Sequence, residues 1–166
     1  MTDTAYFAGG CFWGMEELLR QIPGVLDTTA GYTGGIKSLA VYEQVKTGDT
    51  GHAEALKIIF DSSIVSYRQL LFEFFRLHNP TPSNRQGNDI GSQYRSAIFF
   101  VNDEQQQRAL QVIKIIDASG DWKLPIVTEV QAYREFYPAE DYHQKYLIKN
   151  HGGYTCHYRR QLDLGE

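Results

Sequence analysis

Three segments whose apolar residues return every three to four positions are interleaved with segments of strand character, which narrows the folds open to this chain. Met15, Leu18, Leu19 and Ile22 share one helical face, closed by Pro23-Gly24. Tyr67, Leu70, Leu71 and Phe74 share a second, opened by the capping-box pattern Ser66-x-x-Gln69. Ala109, Val112, Ile113 and Ile116 form a third, capped by Asn102-Asp103 and ending at Gly120. Around them Thr4 to Ala8, Val25 to Tyr32, Ala53 to Phe60, Ser96 to Val101 and Ile126 to Tyr133 read as strands. A weak helical turn over Tyr42 to Lys46, a long polar loop from Asn79 to Gln93 and a short helix from about Ala139 to Leu147 complete the reading, before an irregular Gly-rich tail. This order suits antiparallel pairing with helices on one side better than strict alternation around a parallel sheet. The expected fold class is α+β, a two-layer sandwich with a mixed, mainly antiparallel central sheet and an irregular C-terminal tail. With 166 residues, no internal repeat and no linker-like stretch, residues 1–166 are expected to form a single domain.

Charge excludes whole classes of partner. The chain has 16 Lys+Arg against 20 Asp+Glu, a net charge of −4 without a basic cluster, so neither nucleic acid nor an anionic membrane is an expected partner. No apolar run approaches the roughly 18 residues of a membrane span. The opening MTDTAYFAGG lacks the charged and apolar regions of a secretory signal, so a cytoplasmic protein is expected. The 2 cysteines, Cys11 and Cys156, are too few for a disulfide framework or a cysteine-based zinc site. Two unrelated buried thiols are the plain alternative.

The surroundings of Cys11 favour chemistry. In Ala8-Gly9-Gly10-Cys11-Phe12-Trp13-Gly14 it stands where a strand, two glycines and a helix start meet. Unpaired N–H groups and the positive end of the helix dipole favour a thiolate there, predicting a pKa below the ordinary 8.5 or so. The glycines clear an approach to sulfur, and Phe12 and Trp13 are costly residues to leave half exposed beside it. A plain turn followed by core aromatics fits the same letters. No Gly-Lys-Ser/Thr follows, so this is not a phosphate-binding loop.

Alternation along Ala53 to Phe60 puts Glu54 on one face with Leu56, Ile58 and Phe60, and that face points to the core. A carboxyl group against an apolar wall keeps its proton to higher pH and becomes a donor. The alternative is a twisted strand on which Glu54 meets water or an Arg such as Arg95. Tyr42 and Tyr94 flank turn-like segments and offer neutral phenol donors, whereas Asp89, in Gly87-Asn88-Asp89-Ile90-Gly91, reads by default as a turn former.

Together these segments resemble the A-class peptide methionine sulfoxide reductases. Gly10-Cys11-Phe12-Trp13-Gly14 looks like that family's active-site motif, and Gly48-Asp49-Thr50-Gly51-His52-Ala53-Glu54-Ala55 like its second signature. Arg85-Gln86-Gly87-Asn88-Asp89, followed by Gly91-Ser92-Gln93-Tyr94-Arg95-Ser96, resembles its third. Ala139 to Leu147 and Gly153-Tyr154-Thr155-Cys156 match its C-terminal part, so the likeness runs in family order from about residue 5 to 157.

The resemblance implies an α+β fold and reduction of methionine sulfoxide, free or in proteins, with preference for the S epimer. It makes Cys11 the nucleophile and Phe12 and Trp13 the walls around the substrate methyl group. Glu54, Tyr42 and Tyr94 become the groups that hold and protonate the sulfoxide oxygen, Asp89 a supporting carboxylate, and Cys156 the resolving cysteine. Some members carry a further downstream cysteine as a relay; this chain has none, which implies that thioredoxin reduces a Cys11–Cys156 disulfide directly. Neither metal nor organic cofactor is expected, and the protein is expected to be a monomer acting on oxidised proteins and free methionine sulfoxide. Two rivals come from the residues alone: a Cys-His hydrolase with His52 or His143 as base, and a metal module using His151, Cys156 and His157 with His143 upstream. Solvated tail histidines are the plainer reading of the second.

Overall fold

The computed structural model describes residues 1–166. Its centre is a six-stranded sheet built from β1 (Thr2–Gly9), β2 (Val25–Thr33), β3 (Ala53–Asp61), β6 (Ser96–Phe100), β7 (Glu129–Ala132) and β8 (Phe136–Pro138). The spatial order is β7-β6-β1-β3-β2-β8, and every neighbouring pair is antiparallel except β6 with β7. The sheet is therefore mixed and mainly antiparallel, as the order of periodicities predicts.

Period-two alternation sorts each strand between two environments. Ala5, Phe7, Ala30, Tyr32, Leu56, Ile58, Phe60 and Ile98 face a core shared with α1 (Phe12–Leu19), α3 (Tyr67–Leu77) and α4 (Asp103–Ser119). The opposite face carries the small set Tyr6, Ala8, Ala53, Ala55, Ala97 and Phe99, packed by Tyr133 and Phe136. Helix α3 buries Leu70, Leu71, Phe72, Phe74, Phe75 and Leu77, each contributing roughly 1.5–3 kcal/mol on leaving water. Its start is the predicted capping box: the Gln69 N–H donates to Ser66 Oγ at 3.0 Å, and the Ser66 N–H donates to Gln69 Oε1 at 2.8 Å. Asn102 caps α4 through the Gln105 N–H at 2.9 Å, and Gly120 ends it in the left-handed region at φ 73°.

Three local expectations need correction. The last strand is shorter than the predicted 126–133 and is followed by β8, which pairs with the edge of β2. The stretch 139–147 is not one helix: a 3-10 turn over Asp141–His143 is separated from α5 (Tyr146–Lys149) by Lys145, whose φ of 52° is incompatible with helix. The polar loop contains a small hairpin, β4 (Arg85–Gln86) with β5 (Asp89–Ile90), and a 3-10 turn at Ser92–Tyr94. The predicted turn at 42–46 is α2 (Tyr42–Val45). Beyond Asn150 the tail is irregular, yet it is tied down. The Arg160 N–H donates to Arg76 O at 3.0 Å, Arg76 Nε donates to Leu162 O at 2.7 Å, and Leu164 is fully buried. No helix is long and apolar enough to cross a membrane.

Candidate active site

Strand β1 ends at Gly9, Gly10 turns the chain at φ 99°, and Cys11 is the N-cap of α1. Pairing of β3 with β1 and β2 brings the start of β3 to the same end of the sheet. There the Phe12 N–H donates to Glu54 Oε1 at 3.1 Å, so a helix-start N–H that lacks an intrahelical partner is spent on the carboxyl. Glu54 is only 2% exposed, and Leu56, Ile58 and Phe60 continue its face into the core, as the alternation predicts. Arg95 is not its partner; it pairs with Glu129 at 2.9 Å instead.

Burial pushes the Glu54 carboxyl up from 4.5 to about 8; the Phe12 N–H opposes the rise and the charge of Asp89 adds to it. Near pH 7 the group is mostly protonated. The Cys11 thiol departs from expectation, because its pKa is raised rather than lowered. Burial is the main cause, ionised Glu54 adds to it, and the Trp13 backbone N–H only partly offsets them. Helix α1 is 8 residues long. A helix terminus supplies about 0.3–1 kcal/mol to a nearby anion, less than the cost of desolvating a buried one. Protonation of Glu54 removes its repulsion of charge at Cys11 and leaves burial as the main cause of the raised thiol pKa.

Tyr42 and Tyr94 both come close enough to feel the charges of Glu54 and Cys11, and burial pushes both phenols up. Each therefore stays a neutral donor at physiological pH. Trp13 is half-buried, lies flat on Tyr146 at 3.7 Å between centroids and 7° between planes, and donates its indole N–H to His143 Nδ1 at 2.9 Å. Phe12 is buried against Tyr32 and His143, behind this wall rather than on its surface. Asp89 lies on β5 and accepts from Tyr154 Oη at 3.2 Å and from Cys156 Sγ at 3.8 Å. Burial raises its pKa, and the Tyr154 and Cys156 bonds oppose that. Cys11 and Cys156 are both free thiols, near enough for charge on Cys156 to raise Cys11.

The family model for peptide methionine sulfoxide reductase matches residues 3–165. This chain belongs to the peptide methionine sulfoxide reductases. It is 51% identical over 162 residues to the peptide methionine sulfoxide reductase MsrA of Nocardia farcinica, covering 96% of this chain and 93% of that one. Among solved structures it superposes on reduced Mxr1 from Saccharomyces cerevisiae with a TM-score of 0.91 and 36% identity, covering 96% and 93% of the two chains. Mxr1 has also been solved in complex with Trx2; that chain matches with a TM-score of 0.66 and 22% identity over 96% and 91% of the chains, a likeness of fold.

The candidate site contains residues that the sequence patterns did not assign to it. His143 is 1% exposed and central to the aromatic wall, with ring centroids of Tyr42 at 4.6 Å and Tyr142 at 4.1 Å. Burial lowers its pKa, which keeps Nδ1 free to accept from Trp13. Glu140 Oε1 accepts from Tyr32 Oη at 2.8 Å, and its Oε2 from the Tyr42 N–H at 3.0 Å, fixing the start of α2. Both belong to the quoted Ala139–Leu147 segment, which was the available signal. Glu16, nearly fully buried, accepts from Thr28 Oγ1 at 2.8 Å and from the Lys145 N–H at 2.7 Å, tying α1 to the segment that carries Tyr146.

Three of the histidines named for the rival readings, His52, His143 and His157, are otherwise engaged. His52 is buried, with Nδ1 accepting the Gly35 N–H at 3.2 Å and Nε2 on Ile36 O at 2.8 Å. Against the expectation of solvated tail histidines, His157 is buried and its Nε2 meets Gly9 O at 2.7 Å, while His151 is exposed. No group of three or more His, Cys, Asp or Glu side chains is arranged around a metal position.

Proposed function

We propose that Cys11 reduces methionine S-sulfoxide by direct attack on sulfur, and that Cys156 then resolves the product. The observation that carries this reading is the buried Glu54 carboxyl, held by the Phe12 N–H at 3.1 Å beside Cys11 and kept protonated to about pH 8. A sulfoxide sulfur resists a nucleophile until its oxygen is strongly hydrogen-bonded or protonated. Glu54, Tyr42 and Tyr94 are neutral donors suited to that oxygen, and Trp13, backed by Phe12 and held by His143 and Tyr146, is suited to the methyl group. Asp89 supports the site from the side of Cys156.

In the first step the oxygen passes from substrate sulfur to Cys11, releasing methionine and leaving a sulfenic acid. In the second, the Cys156 sulfur displaces that hydroxyl; a disulfide forms and water leaves. A dithiol donor of the thioredoxin type restores both thiols, a partner supported by the Mxr1–Trx2 complex and by the lack of a third cysteine to act as relay. That cycle suits a reducing compartment such as the cytoplasm, free methionine sulfoxide as well as oxidised proteins as substrates, and a monomer acting alone.

The test is a pair of variants in a single-turnover mixture. Cys11→Ser should release no methionine, because a hydroxyl oxygen is a far weaker nucleophile than a thiol sulfur and cannot form a sulfenic acid. Cys156→Ser should release about one methionine per chain, then stall with Cys11 trappable by dimedone, and lose thioredoxin-driven turnover. Methionine release by Cys11→Ser, or full thioredoxin turnover by Cys156→Ser, refutes the assignment of that cysteine.

A further inference from the structure

Residue His157, next to Cys156, bridges the tail to the strand that leads to the nucleophile. Gly9 O can only accept, so His157 Nε2 donates across the 2.7 Å contact and Nδ1 is left as an acceptor, 3.9 Å from Cys156 Sγ. The His157 N–H in turn donates to Thr155 Oγ1 at 3.1 Å, which curls the segment around Cys156. Glycines form much of the surface that receives this segment, beside Gln86 and Asp89, whose oxygens each lie 3.8 Å from Cys156 Sγ. A Cβ at Gly14 would lie 2.3 Å from Thr155 Oγ1 and 2.4 Å from His157 Nδ1. A Cβ at Gly10 would lie 2.6 Å from Gln86 Cγ and 3.1 Å from His157 Nε2, and one at Gly87 would lie 3.1 Å from Cys156 Cβ. Gly14 has no conformational need for glycine, because it lies inside α1. Its missing side chain makes room for the tail.

We propose that Gly10, Gly14 and His157 form a dock that holds Cys156 beside Cys11 before any oxidation, with His157 as the positioning residue through its bond to Gly9. Disulfide formation is then a short local movement and not a swing of the whole tail, whose later residues are fixed by Arg76 and by burial of Leu164. In that step the Cys156 sulfur bonds to the Cys11 sulfur, the S–O bond of the sulfenic acid breaks, and the hydroxyl leaves with the thiol proton as water. The inference rests on the reading of Cys156 as the resolving cysteine.

The experiment mixes reduced full-length protein with one equivalent of methionine sulfoxide in the presence of dimedone. It follows methionine release, the Cys11–dimedone adduct and the Cys11–Cys156 link by quenched-flow mass mapping. In wild type the link should form with little adduct. His157→Ala should form the link at least about tenfold more slowly relative to methionine release, and accumulate adduct; general positioning effects reach this scale. His157→Gln keeps an N–H donor within reach of the Gly9 carbonyl, and should stay within about threefold of wild type. Gly14→Ala approaches the same contact from the helix side. It raises helix propensity, so the chain should fold, yet the link should form as slowly as in His157→Ala. Wild-type rates in His157→Ala or Gly14→Ala overturn the dock. A His157→Gln variant as slow as His157→Ala overturns the positioning role in favour of direct action of Nδ1 on the thiol. A wild type that forms no link at all indicts the reading of Cys156 itself, a result none of the other outcomes produces.

Discussion

Replacing Glu54 by Gln keeps the shape of the buried group and removes its proton equilibrium. The amide carbonyl can still accept the Phe12 N–H, a contact of 3.1 Å in the native protein, and the amide NH2 takes the place of the acid proton. In the folded protein the carboxyl keeps its proton to about pH 8, against an ordinary value of 4.5. Below pH 4.5 both folded and unfolded chains are protonated there, and burial of the acid carries no ionisation cost. Between the two values the folded chain binds more protons than the unfolded one, so wild-type stability falls as pH rises. Above 8 both forms are ionised and the full cost is present, about 5 kcal/mol from the interval between the two pKa values. At pH 7 it is about 3 kcal/mol.

Denaturant unfolding of wild type and Glu54→Gln under reducing conditions, at half-unit steps from pH 4 to 9, reads this directly. The advantage of the variant should be flat at the acid end, grow by about 1.4 kcal/mol per pH unit across the window, and level off above pH 8. Groups common to both proteins largely cancel in the difference. A difference that does not change with pH would refute the reasoning, since it would mean that Glu54 ionises as it does in the unfolded chain. The same variant should retain more reductase activity than Glu54→Ala, because an amide still donates to the sulfoxide oxygen; equal loss in both points to proton transfer as the essential act.

The other predictions concern the wall and the scaffold. Trp13→Ala should raise KM by the equivalent of about 1–3 kcal/mol of lost apolar contact, with a smaller effect on thermal stability. Trp13→Phe should fall between, keeping the stack on Tyr146 and losing the bond to His143. A steep loss of stability with unchanged KM makes Trp13 a core residue instead. Ser66→Ala, far along the chain from the site, should cost about 1 kcal/mol by removing the α3 cap, seen as a lower unfolding midpoint with unaltered kcat/KM.

The sequence was most legible where local rules act alone. The Ser66–Gln69 box, the Asn102 cap and the Gly120 stop each involve neighbours in the chain, and each is where the pattern puts it. Glu54 could be placed on the core face because alternation in β3 is clean over Leu56, Ile58 and Phe60. Strand β8 escaped because it is 3 residues long, ends in Pro138 and is defined only by the edge of β2 that it joins. The contacts of Glu140, His143 and His157 join residues about 100 or more positions apart, which no periodicity encodes. The low pKa expected for Cys11 failed for a physical reason: a short helix offers a small field, and enclosure of the thiol by the surrounding residues is the larger effect.

The central claim is that one sulfoxide reduced means the two cysteines joined. A count of free thiols on denatured protein, before and after one equivalent of methionine S-sulfoxide and without added reductant, tests it most directly. The count should fall from 2 thiols to none per chain. One methionine should be released, and peptide mapping should find a single Cys11–Cys156 link. Methionine released with both thiols still titratable, or thiols lost with no such link, contradicts it.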